Sequence, residues 1–80
     1  MSLKELTEII VKSLVSDPES ITLKEFEEDD EIVIEVMVPE SEAGKVIGKE
    51  GKLANSIRTI VQAGSYLKDN KRVKININAY

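Results

Sequence analysis

Eighty residues make one domain, and a chain this short buries only about 60% of the surface its unfolded form exposes, so there is room for one thin core. At 41% apolar and 32% charged, with no cysteine, no histidine and no apolar run near the roughly 18 residues of a membrane span, the chain reads as a soluble globular protein without disulfides, thiol nucleophiles, imidazole bases or thiolate metal sites. The net charge of −4 is unevenly split: residues 1–40 hold 3 lysines against 12 carboxylates, net −9, and residues 41–80 hold 8 lysines and arginines against 3 carboxylates, net +5, which points to a polyanionic partner.

The amino terminus, Met1-Ser2-Leu3-Lys4-Glu5, lacks the basic start and apolar block of a signal peptide, so a cytoplasmic location is expected. Ser2 followed by Glu5 forms a capping box, and Leu3, Leu6, Ile10 and Leu14 recur at helical spacing. Together they predict a helix from about Leu3 to Val15. Asp17-Pro18 should stop it, because the residue before proline is pushed out of the helical region. Ile21 to Glu27 reads as a β-rich stretch and Glu28 to Asp30 as a polar turn. Ile32, Ile34, Val36 and Val38 then alternate along a second strand, which Pro39 ends, and the pair makes a hairpin. The opposite face of that strand, Val33, Glu35 and Met37, is only half polar and is expected to be partly covered. The acidic run Glu27 to Glu31 lacks the spaced ligands and glycine of a calcium loop and reads as a solvated hairpin tip.

Ser41 to Ile47 predicts a short helix broken at Gly48. After Gly51, the positions Leu53, Ile57, Ile60, Val61 and Gly64 mark one face of another helix, expected to end near Gly64. Asp69-Asn70 supplies turn chemistry, and Val73, Ile75 and Ile77 alternate with Arg72, Lys74, Asn76 and Asn78 in a last strand. The order is α-β-β-α-α-β, one compact α+β unit over residues 1–80 without repeat, linker or low-complexity segment.

One motif carries chemistry. Gly48-Lys49-Glu50-Gly51 lies between two helical patterns, preceded by Val46-Ile47 and followed by Lys52. Glycines at both ends let the backbone turn tightly and let a phosphate approach without meeting a Cβ, while the following helix offers free amides and the positive end of its dipole. Lys45, Lys49 and Lys52 add cations. The spacing excludes the P-loop, which needs four residues between its first glycine and its Gly-Lys and then Ser or Thr, whereas three separate Gly44 from Gly48-Lys49 and Glu50 follows; Val46, two before Gly48, excludes the dinucleotide fingerprint. A bare helix corner capped by glycine has the same sequence signature, so the context has to decide.

That context, Val46 to Lys52 followed by Leu53 and Ile57 and placed between the second and third helices of an α-β-β-α-α-β chain, resembles the KH domain. KH domains clamp about four single-stranded nucleotides at a G-x-x-G loop. The element order is similar to the type II arrangement, for which the resemblance implies a three-stranded mixed sheet with three helices packed on one face. Almost the whole chain takes part, including Lys68 to Val73, and the likeness is to the small bacterial single-domain members called KhpA.

The resemblance implies that Gly48 to Gly51 contact phosphates and that Ile47, Ala54 and Ile57 border an apolar groove for bases. Asn55 and Arg58, one and two turns past the loop, are further candidates for bases or phosphates. Ala54 stands where KH domains usually carry a bulky aliphatic, and Glu50 places an acid in the loop itself. No aromatic lies near the loop in sequence, since Phe26, Tyr66 and Tyr80 are remote, so ring stacking is not expected to drive binding.

The expected function is a non-catalytic module for single-stranded RNA, with no cofactor and no metal site. The alternative is a protein-interaction domain that keeps the KH fold with lost or weak RNA binding, which Glu50, Ala54 and the acidic first half favour. An enzyme has only carboxylates and lysines to work with, none in a constellation suited to acid-base chemistry. A lone weak module gains by multivalency. The resemblance implies a homodimer and a heteromer with a larger KH protein of the KhpB (Jag-like) kind.

Overall fold

The computed structural model describes residues 2–68 and 70–80. Helix α1 spans Leu3–Lys12, strands β1 and β2 span Thr22–Glu27 and Glu31–Val38, helices α2 and α3 span Glu40–Ile47 and Lys52–Lys68, and strand β3 spans Arg72–Ala79. A single 3-10 turn occupies Pro18–Ser20, and Lys49–Gly51 form a turn, non-helical at Glu50, closed by the Gly51 amide on the Gly48 carbonyl.

The capping box forms as the sequence predicts: the Glu5 amide donates to the Ser2 hydroxyl, and the Ser2 amide donates to the Glu5 carboxylate. Helix α1 nevertheless ends three residues before Val15. The Ser13 hydroxyl donates to the Ile10 carbonyl and the Leu14 amide closes a tight turn onto Val11, so local side-chain bonding unwinds the helix before the proline can act. Leu14 and Val15 still pack against the core from outside the helix.

Strands β1 and β2 pair antiparallel, with Phe26 opposite Val33 and Glu27 opposite Ile32 at the turn, while β2 and β3 pair parallel. The sheet is therefore mixed, in the order β1-β2-β3. Ile32, Ile34, Val36 and Val38 are all buried, as their alternation predicts, and they join Leu3 and Val11 of α1, Ala43 and Val46 of α2, and Ile57 and Val61 of α3 in one cluster. Burying these side chains, at roughly 1.5–3 kcal/mol for each leucine, isoleucine and valine, is the main force holding the helices on the sheet. All three helices pack on that one face. The other face carries Phe26, Val33, Glu35, Met37 and Lys74; Val33, Glu35 and Met37 are half-buried there, as expected.

Helix α3 differs from expectation in length and in phase. It runs through Gly64 to Lys68, because Gly64 is no cap: its φ is not left-handed, and it sits inside the helix with Leu3 and Leu6 of α1 at ordinary contact distance from where its Cβ would be. The helix stops where Asn70 turns left-handed (φ 55°) and returns its amide to the Ser65 carbonyl, which is the turn chemistry read from the sequence; Asp69 lies outside the described residues. Its buried face is Ala54, Ile57, Val61 and Ser65, with Leu53 half-buried and Ile60 exposed. At 100° per residue, that face is turned about 60° from the predicted one. Ser65 tolerates full burial because its hydroxyl donates to the Lys71 carbonyl.

Candidate functional site

The G-x-x-G segment forms the connection between α2 and α3. Three of its four residues have positive φ: Gly48 at 77°, Glu50 at 58° and Gly51 at 75°. Gly48 also has ψ 175°, a region essentially reserved for glycine, and a Cβ there would lie 2.6 Å from Leu53 Cβ. Glu50 is the one residue of the loop held left-handed without glycine's freedom. Turns that mix right- and left-handed residues gather successive amides into a concavity suited to anions. Here the turn leads into the N-terminus of the 17-residue α3, whose dipole adds positive potential.

Lys49, Glu50 and Lys52 are exposed around this turn. Lys45 is not equivalent to the other lysines. Its ammonium donates to Glu42 at 2.8 Å and to the Ser16 hydroxyl at 2.6 Å. The carboxylate of Glu42, a residue 7% exposed, also accepts the amides of Ser16 and Asp17 at 2.8 and 2.9 Å. The Lys45 hydrogen bond, then the Asp17 amide, hold the Glu42 carboxyl below its ordinary range against the opposing effect of burial. This knot ties the segment after α1 to α2, and Lys45 serves it.

The residues expected to border an apolar groove separate by burial. Ile47 is 36% exposed at the end of α2, whereas Ala54 (4%) and Ile57 (1%) are closed to solvent. Ile57 is a core side chain; Ala54 is buried apart from the main cluster.

Asn55 and Arg58 are brought together. Arg58 Nη1 donates to Asn55 Oδ1 at 2.9 Å, and its Nε donates to the Ile75 carbonyl at 3.2 Å, which joins α3 to the outer edge of β3. One turn on, Gln62 does the same with both ends of its amide: Nε2 donates to the Lys71 carbonyl and Oε1 accepts the Val73 amide, at 2.9 and 2.8 Å. The result is a fixed concavity between α3 and β3, lined by Arg58, Thr59, Gln62, Ala63, Tyr66 and Val73. Sequence reading missed Gln62 and Tyr66. Their signal was present, since Asn55, Thr59, Gln62 and Tyr66 recur at i, i+4, i+7 and i+11 and share one helix face.

Among the described residues, no three acidic side chains converge as a metal site, and no helix is long and apolar enough to cross a membrane.

Comparison with known proteins bears on the family of the chain. The chain is 45% identical over 75 residues to the RNA-binding protein KhpA of Clostridium perfringens, covering 94% of this chain and 99% of that one. It is 41% identical over 75 residues to the RNA-binding protein KhpA of Clostridium acetobutylicum, with the same coverage. The fold is similar to a crystal structure of Aquifex aeolicus Era bound to GDP and aluminium fluoride, at a TM-score of 0.68 and 23% identity; the match takes in 96% of this chain and 29% of that one. The model of the KhpA/KhpB KH domain matches residues 4–77, and the chain belongs to that family.

Proposed function

We propose that residues 1–80 act as a single KH unit that binds about four nucleotides of single-stranded RNA in the cytoplasm and catalyses no reaction. Phosphates lie at Gly48 to Gly51, with Lys49 and Lys52 as mobile cations and Lys45 as a nearer structural one. Ile47 gives the bases apolar contact above the buried Ala54 and Ile57, and Asn55 with Arg58 offers hydrogen bonds along α3. The observation that carries this reading is the loop itself: three positive-φ residues with the exposed Lys49 among them and the exposed Lys52 directly after, at the start of a long helix. The names of the relatives support it. With three or four phosphates neutralised and no ring beside the loop, affinity for so short a segment is on the order of micromolar.

The test is the double substitution Lys49→Asp with Glu50→Asp. It keeps both glycines, and aspartate tolerates the left-handed conformation at position 50 better than most residues. Phosphates then meet two carboxylates, and RNA binding should be lost with the melting temperature nearly unchanged. Retained affinity with an intact fold would reduce the loop to a helix corner.

A module this weak gains from assembly, and the reading includes a homodimer or a heteromer with a KhpB-type KH protein. The outer flank of α3 supports it, with Leu67 91% exposed and Ile60 in the same row. The same flank favours the second reading, a protein-interaction domain, which predicts association that survives the double substitution.

A further inference from the structure

Tyr66 is remote from the loop in sequence, yet α3 carries it along the same track. At 100° per residue, Asn55, Thr59, Gln62 and Tyr66 fall within about 60° of one another on the helix. At 1.5 Å per residue, Tyr66 lies about 21 Å from Lys52 along the axis. Tyr66 is 58% exposed and lines two concavities. One is the α3–β3 concavity with Arg58, Gln62 and Val73; the other is bounded by Asn70, Arg72, Asp30 and Glu31.

We propose that Tyr66, framed by Arg58, Gln62 and Arg72, is a stacking subsite for one RNA base beyond the four held at the loop. This rests on the RNA-binding reading given above. Charge complementarity and continuity with the loop identify the occupant. Arg58 stands on the near side of the ring and Arg72, whose guanidinium makes no ion pair among the described residues, on the far side. The wall is already built, because Gln62 and Arg58 occupy the Val73 amide and the Lys71 and Ile75 carbonyls. Those backbone groups are thereby withdrawn from pairing with a partner strand, which disfavours a peptide added to that part of β3. Asp30 and Glu31 on the far wall repel phosphate, so the ring meets a base and not the backbone, and their oxygens can accept an exocyclic amino group such as that of adenine.

Four stacked nucleotides rise only about 10 Å at roughly 3.4 Å per step, so a strand anchored at the loop reaches Tyr66 with about six or seven nucleotides. The footprint is correspondingly longer than the four of the loop.

The experiment compares oligoadenylates of four and eight residues by fluorescence anisotropy, on the wild type, Tyr66→Ala and Tyr66→Phe. The statistical gain of the longer strand from multiple registers is common to all three proteins and cancels. Tyr66→Ala should lower affinity for the octamer about tenfold and for the tetramer less than twofold, and Tyr66→Phe should bind both as the wild type does. In the Tyr80→Phe protein, where Tyr66 is the sole tyrosine, the octamer should quench tyrosine emission and the tetramer should not. Octamer affinity unchanged in Tyr66→Ala, or lowered equally for both lengths, overturns the subsite while leaving the loop reading standing. Failure of the wild type to bind either strand overturns the loop reading and the subsite with it.

Discussion

A methyl group placed on Gly48 would lie 2.6 Å from the Cβ of Leu53 and 3.0 Å from its backbone nitrogen. Neither atom is the far end of a flexible side chain, so the loop and the first turn of α3 would have to move apart. The backbone at Gly48 (φ 77°, ψ 175°) adds its own penalty for any side chain. Gly51 also has positive φ, but nothing lies within 4 Å of its added Cβ. Gly48→Ala should therefore cost about 2 kcal/mol or more, or roughly 8–16 °C in melting temperature, and Gly51→Ala about 1–2 kcal/mol. Urea denaturation of the two variants checks the order. Equal losses would mean that the contact with Leu53 is relieved without strain.

Most of the architecture was legible because its signals are local and periodic. The Ser2–Glu5 box, the alternation from Ile32 to Val38 and the G-x-x-G punctuation each specify one element, and each appears where expected. What escaped depends on contacts across the fold. Gly64 reads as a helix end until α3 is seen to run on past it, packed against Leu3 and Leu6 of α1. Lys45 reads as a free cation until Glu42 and Ser16, 3 and 29 residues away, are seen to hold it. The phase of α3 was misjudged because Ile60 is apolar and exposed whereas Ser65 is polar and buried, an inversion made tolerable by the Lys71 carbonyl that accepts the serine hydroxyl. Arg58 and Asn55 were named from their spacing alone; that they grip β3 required the sheet.

Gly64 offers the opposite test to Gly48. Its backbone is helical, and an added Cβ would meet only the tips of Leu3 and Leu6 at 3.4 and 3.5 Å, ordinary contact or slightly closer. Glycine inside a helix is about 1 kcal/mol less favourable than alanine. Gly64→Ala should therefore stabilise the protein by about 0.5–1 kcal/mol, seen as a rise of a few degrees in melting temperature. A drop would show that α1 and α3 are packed too tightly to admit one methyl group.

Acid should weaken the knot at Glu42. Its carboxyl titrates below the ordinary range in the folded protein, because Lys45 and the amides of Asp17 and Ser16 favour the charged form. A depressed folded pKa contributes stability that is present above the unfolded value and is lost as pH falls through the folded one. Glu5, held down by Ser2, and Glu27, held down mainly by Lys71, titrate with the same sign. Glu42→Gln removes only the first of the three contributions. Thermal melts from pH 7 to pH 3 should show the variant less stable at pH 7 and the gap to the wild type narrowing as pH falls through the carboxylate range. A gap that stays constant, or widens, would mean that the charge of Glu42 does not contribute.

Salt dependence separates the lysines by the work each one does. Counterion release from a single strand contributes about −0.7 to the slope of log affinity against log salt for each phosphate neutralised. Lys49 and Lys52 are exposed beside the loop, and Arg58 keeps donors free beyond its bonds to Asn55 and Ile75, so a total slope near −2 is expected for a short RNA. Lys49→Ala and Lys52→Ala should each flatten it by about 0.7. Lys45→Ala should leave the slope nearly unchanged and lower the melting temperature instead, because its ammonium is committed to Glu42 and Ser16. Titrations at 50, 100 and 200 mM salt, run well below the melting temperature of every variant, provide the comparison. If Lys45→Ala flattens the slope as much as Lys49→Ala does, the knot opens when RNA binds and Lys45 turns to the phosphates.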